Sequence, residues 1–195
     1  DFQRVVVPPW TYMHEKDKAE KRWPAAEKYI MEKKLNEVFG PDKVELGIVC
    51  QGGMYNGVVR ALQRIGLADI YGKTEVPIYC LNVTYPLVNE EFLKFCEGKS
   101  SVLVVEEGAP DFIEQALTTM VYRSDSKVKL FGRKYLPSVG ELTGQVMLDS
   151  IVAYLKDTAP DMLPGRGRAP NTPEPEIPDL SKVVPVRPPS FCTGC

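Results

Sequence analysis

The sequence has only one histidine, His14, which stands among charged residues and far from every cysteine. Because no other histidine is available, neither a Cys–His dyad nor a Ser–His–Asp triad has a base in a plausible place. No G-x-S-x-G segment is present to hold a nucleophilic serine at a strand-to-helix turn. We therefore exclude these hydrolase classes and interpret His14 as a solvent-exposed surface residue.

The sequence also lacks long apolar runs and a strong net charge. No run is long enough to span a membrane, and no basic segment leads into an apolar one as in a secretory signal. The net charge of −2 gives no reason to expect a nucleic acid or an anionic membrane as a partner. Three of the five cysteines lie in apolar segments, which favours small core residues in a reducing, cytoplasmic compartment over a disulfide framework: Cys50, Cys80 and Cys96.

Short apolar runs alternate with amphipathic segments through the middle of the chain. The apolar runs predict strands at Val44–Cys50, Pro77–Val83, Ser101–Val105 and Lys127–Phe131. The amphipathic segments predict helices at Tyr55–Ile65, Asn89–Cys96, Asp111–Tyr122 and Thr143–Leu155. This alternation is typical of βαβ units, so we predict an α/β fold with a parallel sheet covered on both faces.

The two ends of the chain differ from this pattern. Residues 1–13 contain a proline pair and are expected to be an incoming connector. A charged helix is predicted from about His14, with Pro24 dividing it. Four apolar residues at i, i+4, i+7 and i+8 predict a helical stripe that Gly40-Pro41 terminates: Met31, Leu35, Val38 and Phe39.

After the last predicted helix the composition changes. Residues 160–189 hold nine of the 17 prolines, and such a segment buries too little apolar surface to offset its ordering entropy. We predict an α/β domain over residues 14–158, followed by an extended Pro-rich linker over residues 159–189. Residues 190–195 are expected to be the first of a following domain.

The sequence ends in a Cys-x-x-Cys motif, Cys192 to Cys195. Two thiolates at this spacing can hold part of a metal or iron–sulfur site, but a cluster needs four ligands. The other ligands of such a site would therefore lie beyond Cys195 or on another chain.

The segment Gln51–Gly57 follows the first predicted strand and opens a helix. Gly52 and Gly53 would let backbone N–H groups approach an anion at the start of that helix. The segment matches neither G-x-G-x-x-G nor a Walker loop, and from the residues alone we favour a tight structural turn over an anion site. Gly53 is expected to need a positive φ, so that Gly53→Val would disturb the turn.

Two adjacent carboxylates, Glu106 and Glu107, stand at the end of the third predicted strand. A close pair of carboxylates can raise one pKa, as acid–base catalysis requires. Neighbouring residues of an extended segment point to opposite sides, however. We therefore favour one carboxylate capping the next helix and one in solvent.

Helix capping is also the preferred interpretation of the two remaining turns. In Asn82–Leu87 and the residues after it, Thr84 or Asn89 would cap the next helix. In Pro137–Thr143, Glu141 or Thr143 would begin the last helix.

Taken in order, these segments resemble a known family. Val104–Gly108 (VVEEG) resembles the signature of the transketolase C-terminal domains of thiamine-diphosphate enzymes, and Thr84–Leu87 (TYPL) resembles a turn of 2-oxoacid:ferredoxin oxidoreductases. Together with GIVCQGGMYNGVVRAL, LPSVGELT and RPPSFCTGC, they make the chain similar to α subunits of indolepyruvate ferredoxin oxidoreductases. The resemblance implies a three-layer α/β/α domain with a mostly parallel sheet of about five strands.

The resemblance also implies a place within a longer protein. In that family, a preceding domain carries the catalytic glutamate, and a following domain binds the diphosphate and magnesium of thiamine diphosphate. The following domain opens with Cys-x-Gly-Cys, here Cys192 to Cys195 with threonine where many members have proline. In related oxidoreductases these cysteines ligate an iron–sulfur cluster. The parent enzyme would thus use thiamine diphosphate, Mg²⁺ and iron–sulfur clusters, none bound fully by this segment.

The implied parent reaction is the oxidative decarboxylation of an aryl 2-oxo acid to an acyl-coenzyme A, with electrons passed to ferredoxin. The expected partners are the other domains of the same polypeptide, a second oxidoreductase subunit, ferredoxin and coenzyme A. We expect this segment to contribute packing and subunit contacts, no catalytic residue, and no activity alone. Two alternatives stay open: a non-catalytic interaction module with a docking tail, and an anion- or coenzyme A-binding domain using Gly52 and Gly53.

Overall fold

The computed structural model describes residues 4–163. Most of the predicted Pro-rich linker and the motif from Cys192 to Cys195 therefore lie outside the described residues.

A five-stranded sheet forms the centre of the domain, in the order β1-β3-β2-β4-β5. Strands β2 to β5 are mutually parallel, and β1 pairs antiparallel with β3 at one edge. The strands are β1 Glu37–Phe39, β2 Leu46–Gln51, β3 Ile78–Leu81, β4 Ser101–Val105 and β5 Lys129–Phe131. Every residue of β3 and β4 is buried, as expected of strands covered on both faces. The predicted α/β class with a mostly parallel sheet of about five strands is confirmed.

Helices cover both faces of the sheet, which gives the three predicted layers. On one face α3 and α6 pack on Ile48 and Leu103, and on the other α4 and α5 pack on Val49 and Val104. The helices are α1 Trp10–Asp17, α2 Trp23–Lys33, α3 Tyr55–Arg64, α4 Asn89–Cys96, α5 Phe112–Tyr122 and α6 Gly144–Thr158. A π-helical turn, Lys18–Arg22, joins α1 to α2.

The amino-terminal helix begins earlier than predicted, because α1 starts at Trp10 within the predicted connector. Pro24 stands in the first turn of α2, directly after the π-helical turn, so it marks the boundary between the two helical segments without ending the helical path. No residue of α1 is buried, and Ile30 is the buried residue of α2.

The predicted helical stripe that ends with Val38 and Phe39 is wrong. Helix α2 ends at Lys33, and Lys34 takes a left-handed conformation with φ of 50°. The chain then becomes strand β1, in which Val38 is 54% exposed while Phe39 packs in the core. Strand residues alternate between two faces, and the four apolar positions of the predicted stripe were too few to separate this period from a helical one.

A buried amide, Asn36, joins β1 to the rest of the sheet. Its Nδ2 donates to the hydroxyl of Tyr79 at 3.3 Å and to Oε2 of Glu91 at 3.0 Å, and its Oδ1 accepts from the N–H of Val83 at 2.9 Å. The Tyr79 hydroxyl also donates to Glu91 at 3.0 Å. Burial, then the charge of Glu91, raises the pKa of Tyr79, so the phenol keeps its proton.

We predict that Asn36→Ala lowers the free energy of unfolding by about 2–3 kcal/mol, because it leaves several buried polar partners without a hydrogen bond. Denaturant unfolding of the variant measures this. Asn56→Ala, at an exposed position of α3, is the matched control and is expected to change the stability by less than about 0.5 kcal/mol. Equal effects of the two substitutions would contradict the role of Asn36.

Candidate functional site

Three of the four segments that sequence analysis selected meet at the carboxyl edge of the sheet. The backbone N–H of Glu107, after β4, donates at 3.0 Å to Oε1 of Gln51, the last residue of β2. The Glu107 carboxylate in turn accepts from the backbone N–H of Leu142, before α6, at 2.8 Å. The side chain of Gln51 therefore holds the backbone of the turn after β4, and the side chain of Glu107 holds the backbone before α6.

The remaining segment, which follows β3, is bound mainly to the β1 side of the sheet. The Nδ2 of Asn82 donates to the carbonyl of Leu35 at 2.9 Å and to Oε2 of Glu37 at 3.0 Å. Its Oδ1 lies 2.8 Å from the place that a Cβ on Gly52 would occupy. Asn82 thus connects the turn after β3 with the start of β1 and with the turn after β2.

Glu106 caps helix α5 from a buried position. The residue is only 6% exposed, and both of its carboxylate oxygens accept from the N–H of Ile113, at 2.9 and 3.0 Å. The N–H of Glu114 donates to Oε2 at 3.0 Å. These free N–H groups and the positive end of the helix dipole stabilise the charge. The predicted capping carboxylate is confirmed; Glu107 is exposed as predicted, but it also binds Leu142.

The capping predictions for the other two helices have opposite outcomes. Thr143 is the N-cap of α6, and its hydroxyl accepts from the N–H of Val146 at 3.4 Å, as predicted. The prediction that Thr84 or Asn89 caps α4 is wrong, because the N-cap is Val88 and no side chain caps it. Two acidic residues in the first turn complement the helix dipole instead, Glu90 and Glu91.

The two glycines after β2 have different roles from those predicted. Gly53 lies in a short 3₁₀-helix with no positive φ, and a Cβ there would meet no atom within 4 Å. The expectation that Gly53→Val strains the turn is therefore wrong. Gly52 is the constrained glycine, since its backbone passes against the Asn82 amide. Anion binding at Gly52 and Gly53 stays a prediction.

The buried cysteines are core residues, as predicted. Cys50 and Cys80 are directly opposite each other on β2 and β3, and a hydrogen bond to Cys80, together with burial, raises the pKa of Cys50. Cys96 lies on the other face of the sheet, where burial raises its pKa to about 12. Within residues 4–163, no group of three or more His, Cys, Asp or Glu residues could hold a metal ion. Cys192 and Cys195 lie outside these residues.

Arg133, which no sequence motif singles out, closes the carboxyl edge from the β5 side. Its guanidinium donates to the carbonyl of Pro137 at 2.6 Å and to that of Gly108, and its backbone N–H donates to Glu114 at 3.0 Å. The only sequence signal was an arginine shortly after the last predicted strand. Its partners are carbonyl groups, which no residue pattern reveals.

We predict that Gly52→Ala destabilises the domain and that Gly53→Ala does not, because only the first places a Cβ against the Asn82 amide. The expected loss for Gly52→Ala is about 1–3 kcal/mol, measured by thermal or denaturant unfolding. A Gly53→Ala variant as unstable as the Gly52 variant would contradict this distinction.

We also predict that Glu106→Gln lowers the free energy of unfolding by about 1–3 kcal/mol, because a neutral amide replaces a charge that binds helical N–H groups. Hydrogen exchange at the amides of Ile113 and Glu114 would localise the effect. Glu107→Gln, which alters an exposed neighbour, should cost less. An unchanged stability in Glu106→Gln would exclude the capping role.

Within the part of the chain that the structure describes, no helix has both the length and the apolar character to cross a membrane.

A family model described as the indolepyruvate oxidoreductase domain matches residues 36–155. The chain is similar to indolepyruvate oxidoreductase subunit IorA of Methanothermobacter thermautotrophicus, with 35% identity, and of Thermococcus kodakarensis, with 28%. These alignments cover 84% and 83% of the chain, which spans 23% of the length of each relative.

Among solved structures, the fold is similar to 2-oxoglutarate:ferredoxin oxidoreductase from Magnetococcus marinus, with a TM-score of 0.52 and 15% identity. The similarity covers 76% of this chain and 24% of that one. At this identity the match supports the fold alone. The match of the family model over most of the described domain is the stronger finding, and it shows that the chain belongs to the indolepyruvate oxidoreductase domain family.

Proposed function

We propose that this chain is the central domain of a thiamine-diphosphate-dependent, indolepyruvate-type ferredoxin oxidoreductase. The parent enzyme would oxidatively decarboxylate an aryl 2-oxo acid to an acyl-coenzyme A, pass the electrons to ferredoxin, and work in the cytoplasm with a second subunit. The family match and the relatives named IorA support this proposal. Because the chain spans 23% of those relatives, most of the parent enzyme would lie in other domains.

The described residues do not fit an iron–sulfur cluster. Cys50 and Cys80 share one face of the sheet and Cys96 lies on the other, so these thiols cannot ligate one cluster together. In this proposal, Cys192 and Cys195 are the cluster ligands that this chain supplies, and the remaining ligands come from outside it.

The carboxyl edge of the sheet offers no complete site for magnesium and a diphosphate. Magnesium prefers carboxylate oxygens next to the phosphate groups. At the carboxyl edge, Glu106 is occupied by the amides of α5 and Glu107 by that of Leu142. Thiamine diphosphate would therefore bind to neighbouring domains of the parent enzyme.

The single observation that carries our proposal for this segment is the closed hydrogen-bond network at its carboxyl edge. This edge is where open parallel sheets usually bind ligands. Here the polar groups of Gln51, Glu107 and Arg133 hold neighbouring turns in place. Rigid turns suit a domain that packs against other domains and subunits, and a role in lining a substrate or coenzyme A channel is compatible with them.

The proposal predicts that the 195-residue chain alone neither binds thiamine diphosphate tightly nor turns over 2-oxo acids. Titration calorimetry with thiamine diphosphate and Mg²⁺ should show no saturable heat at low-micromolar concentrations. The positive control is the whole enzyme encoded by the gene that contains this segment. Saturable low-micromolar binding with turnover by the chain alone would refute the proposal.

The second candidate function, an anion- or coenzyme A-binding domain, is favoured by the glycines at the start of α3. It predicts that phosphate or coenzyme A shifts the NMR signals of the Gly52 and Gly53 amides. The absence of such shifts would exclude it. A non-catalytic scaffold module would instead co-purify with a partner that is not a thiamine enzyme.

A further inference from the structure

A shallow depression of about 470 Å³ lies at the opposite, amino edge of the sheet, between β5 and the end of α6. Its lining includes four lysines, two serines and two aromatic rings, but only one carboxylate, that of Asp157. We call it the lysine depression and define it by Lys99, Lys127, Lys129, Lys134, Ser100 and Tyr135. It shares no residue with the carboxyl-edge network.

Three of the four ammonium groups form no ion pair within the described part of the chain. Lys134 pairs with Asp157 at 3.2 Å. Among residues 4–163, no carboxylate lies within ion-pair distance of Lys99, Lys127 or Lys129. The chain as a whole is weakly acidic, with a net charge of −2. Several unneutralised cations around one concave surface attract anions, since the field of each adds to that of the others.

Lys99 is held in place by packing. A Cβ at Gly47 would lie 3.1 Å from Cε of Lys99, so the stem of Lys99 passes close over strand β2. Its ammonium group lies 4.8 Å from the centre of the Phe95 ring. Partial burial lowers the pKa of this lysine, and the charge of Asp42 opposes that shift to a smaller extent.

Two structural explanations account for only some of these lysines. Cations in the last turn of a helix complement its dipole, but Lys94 and Lys156 already do so for α4 and α6. Lysines on an edge strand also prevent pairing with another chain, a role open to Lys129 on β5. Neither explanation covers Lys99, which follows α4 and reaches across β2.

We propose that the lysine depression is a binding site for a small phosphate-bearing molecule, such as one that carries a diphosphate. Its volume lies within the range of small-molecule sites, about 300–1,000 Å³. Lysine ammonium groups bind phosphate oxygens as point charges. The partly exposed ring of Tyr135 also lines the depression and provides a further contact surface.

The floor of the depression is preformed. The hydroxyls of Ser101 and Tyr154 hydrogen-bond to each other at 2.9 Å beneath it, and both residues are buried. The Ser100 hydroxyl donates to the carbonyl of Glu45 at 2.9 Å, so it holds the edge of the depression in place and leaves phosphate binding to the lysines. Binding would therefore order mainly the exposed lysine side chains.

NMR titration of the 195-residue chain with pyrophosphate, ADP and adenosine tests this site. Pyrophosphate and ADP should shift the amides of Ser100, Ser101 and Lys129 saturably, and more weakly as salt is raised. Adenosine, which has no phosphate, should not shift them. The absence of shifts with pyrophosphate and ADP, equal shifts with adenosine, or shifts confined to the Gly52–Met54 turn would each overturn the proposal.

A pair of matched double variants assigns the binding to these lysines. Replacing Lys127 and Lys129 by Gln should weaken pyrophosphate binding about tenfold or more, given the strength of charge-assisted hydrogen bonds. The control replaces Lys28 and Lys33, on the exposed face of α2, by Gln and should leave the affinity unchanged. Equal affinities of the two double variants would show that the depression is not the site.

Discussion

The buried carboxylate of Glu106 is the constraint on which the carboxyl edge of this domain depends. An unpaired charge in the interior is costly, and here the free N–H groups at the start of α5 stabilise it. That arrangement fixes the turn after β4, so that the next residue, Glu107, binds Gln51 through its N–H and Leu142 through its carboxylate. Arg133 then holds the same turn through the carbonyl of Gly108. One buried capping interaction thus organises three turns.

The two edges of the sheet consequently have different chemistry. At the carboxyl edge the conspicuous polar side chains bind the protein's own backbone, and rigidity is the result. At the amino edge Lys99, Lys127 and Lys129 keep ammonium groups without acidic partners in the described part of the chain. For a domain that covers 23% of its IorA relatives, this division suits a rigid packing edge and a separate, charged surface.

Most of the fold was predictable from the sequence because the apolar residues of its core strands and helices are regularly spaced. The helix Asn89–Cys96 and the strand Ser101–Val105 have the predicted bounds. Strand β1 was not predictable, because its three residues are too few to show a period and it forms only by pairing with β3. In the site, the capping role of Glu106 was predictable, because this residue stands shortly before α5 in the sequence. The contact between Gly52 and Asn82 and the carbonyl partners of Arg133 were not predictable, because they depend on how separate segments meet in the fold.

We propose that this domain is the middle of a thiamine-dependent oxidoreductase, and sequencing the gene on both sides of the segment tests this account. The account predicts one continuous reading frame, with a glutamate-bearing thiamine-binding domain upstream. Downstream of Cys195 it predicts further cysteines and a Gly-Asp-Gly motif for the metal and diphosphate. A frame that starts near Asp1 and stops at Cys195 would contradict the account and identify the domain as an independent protein.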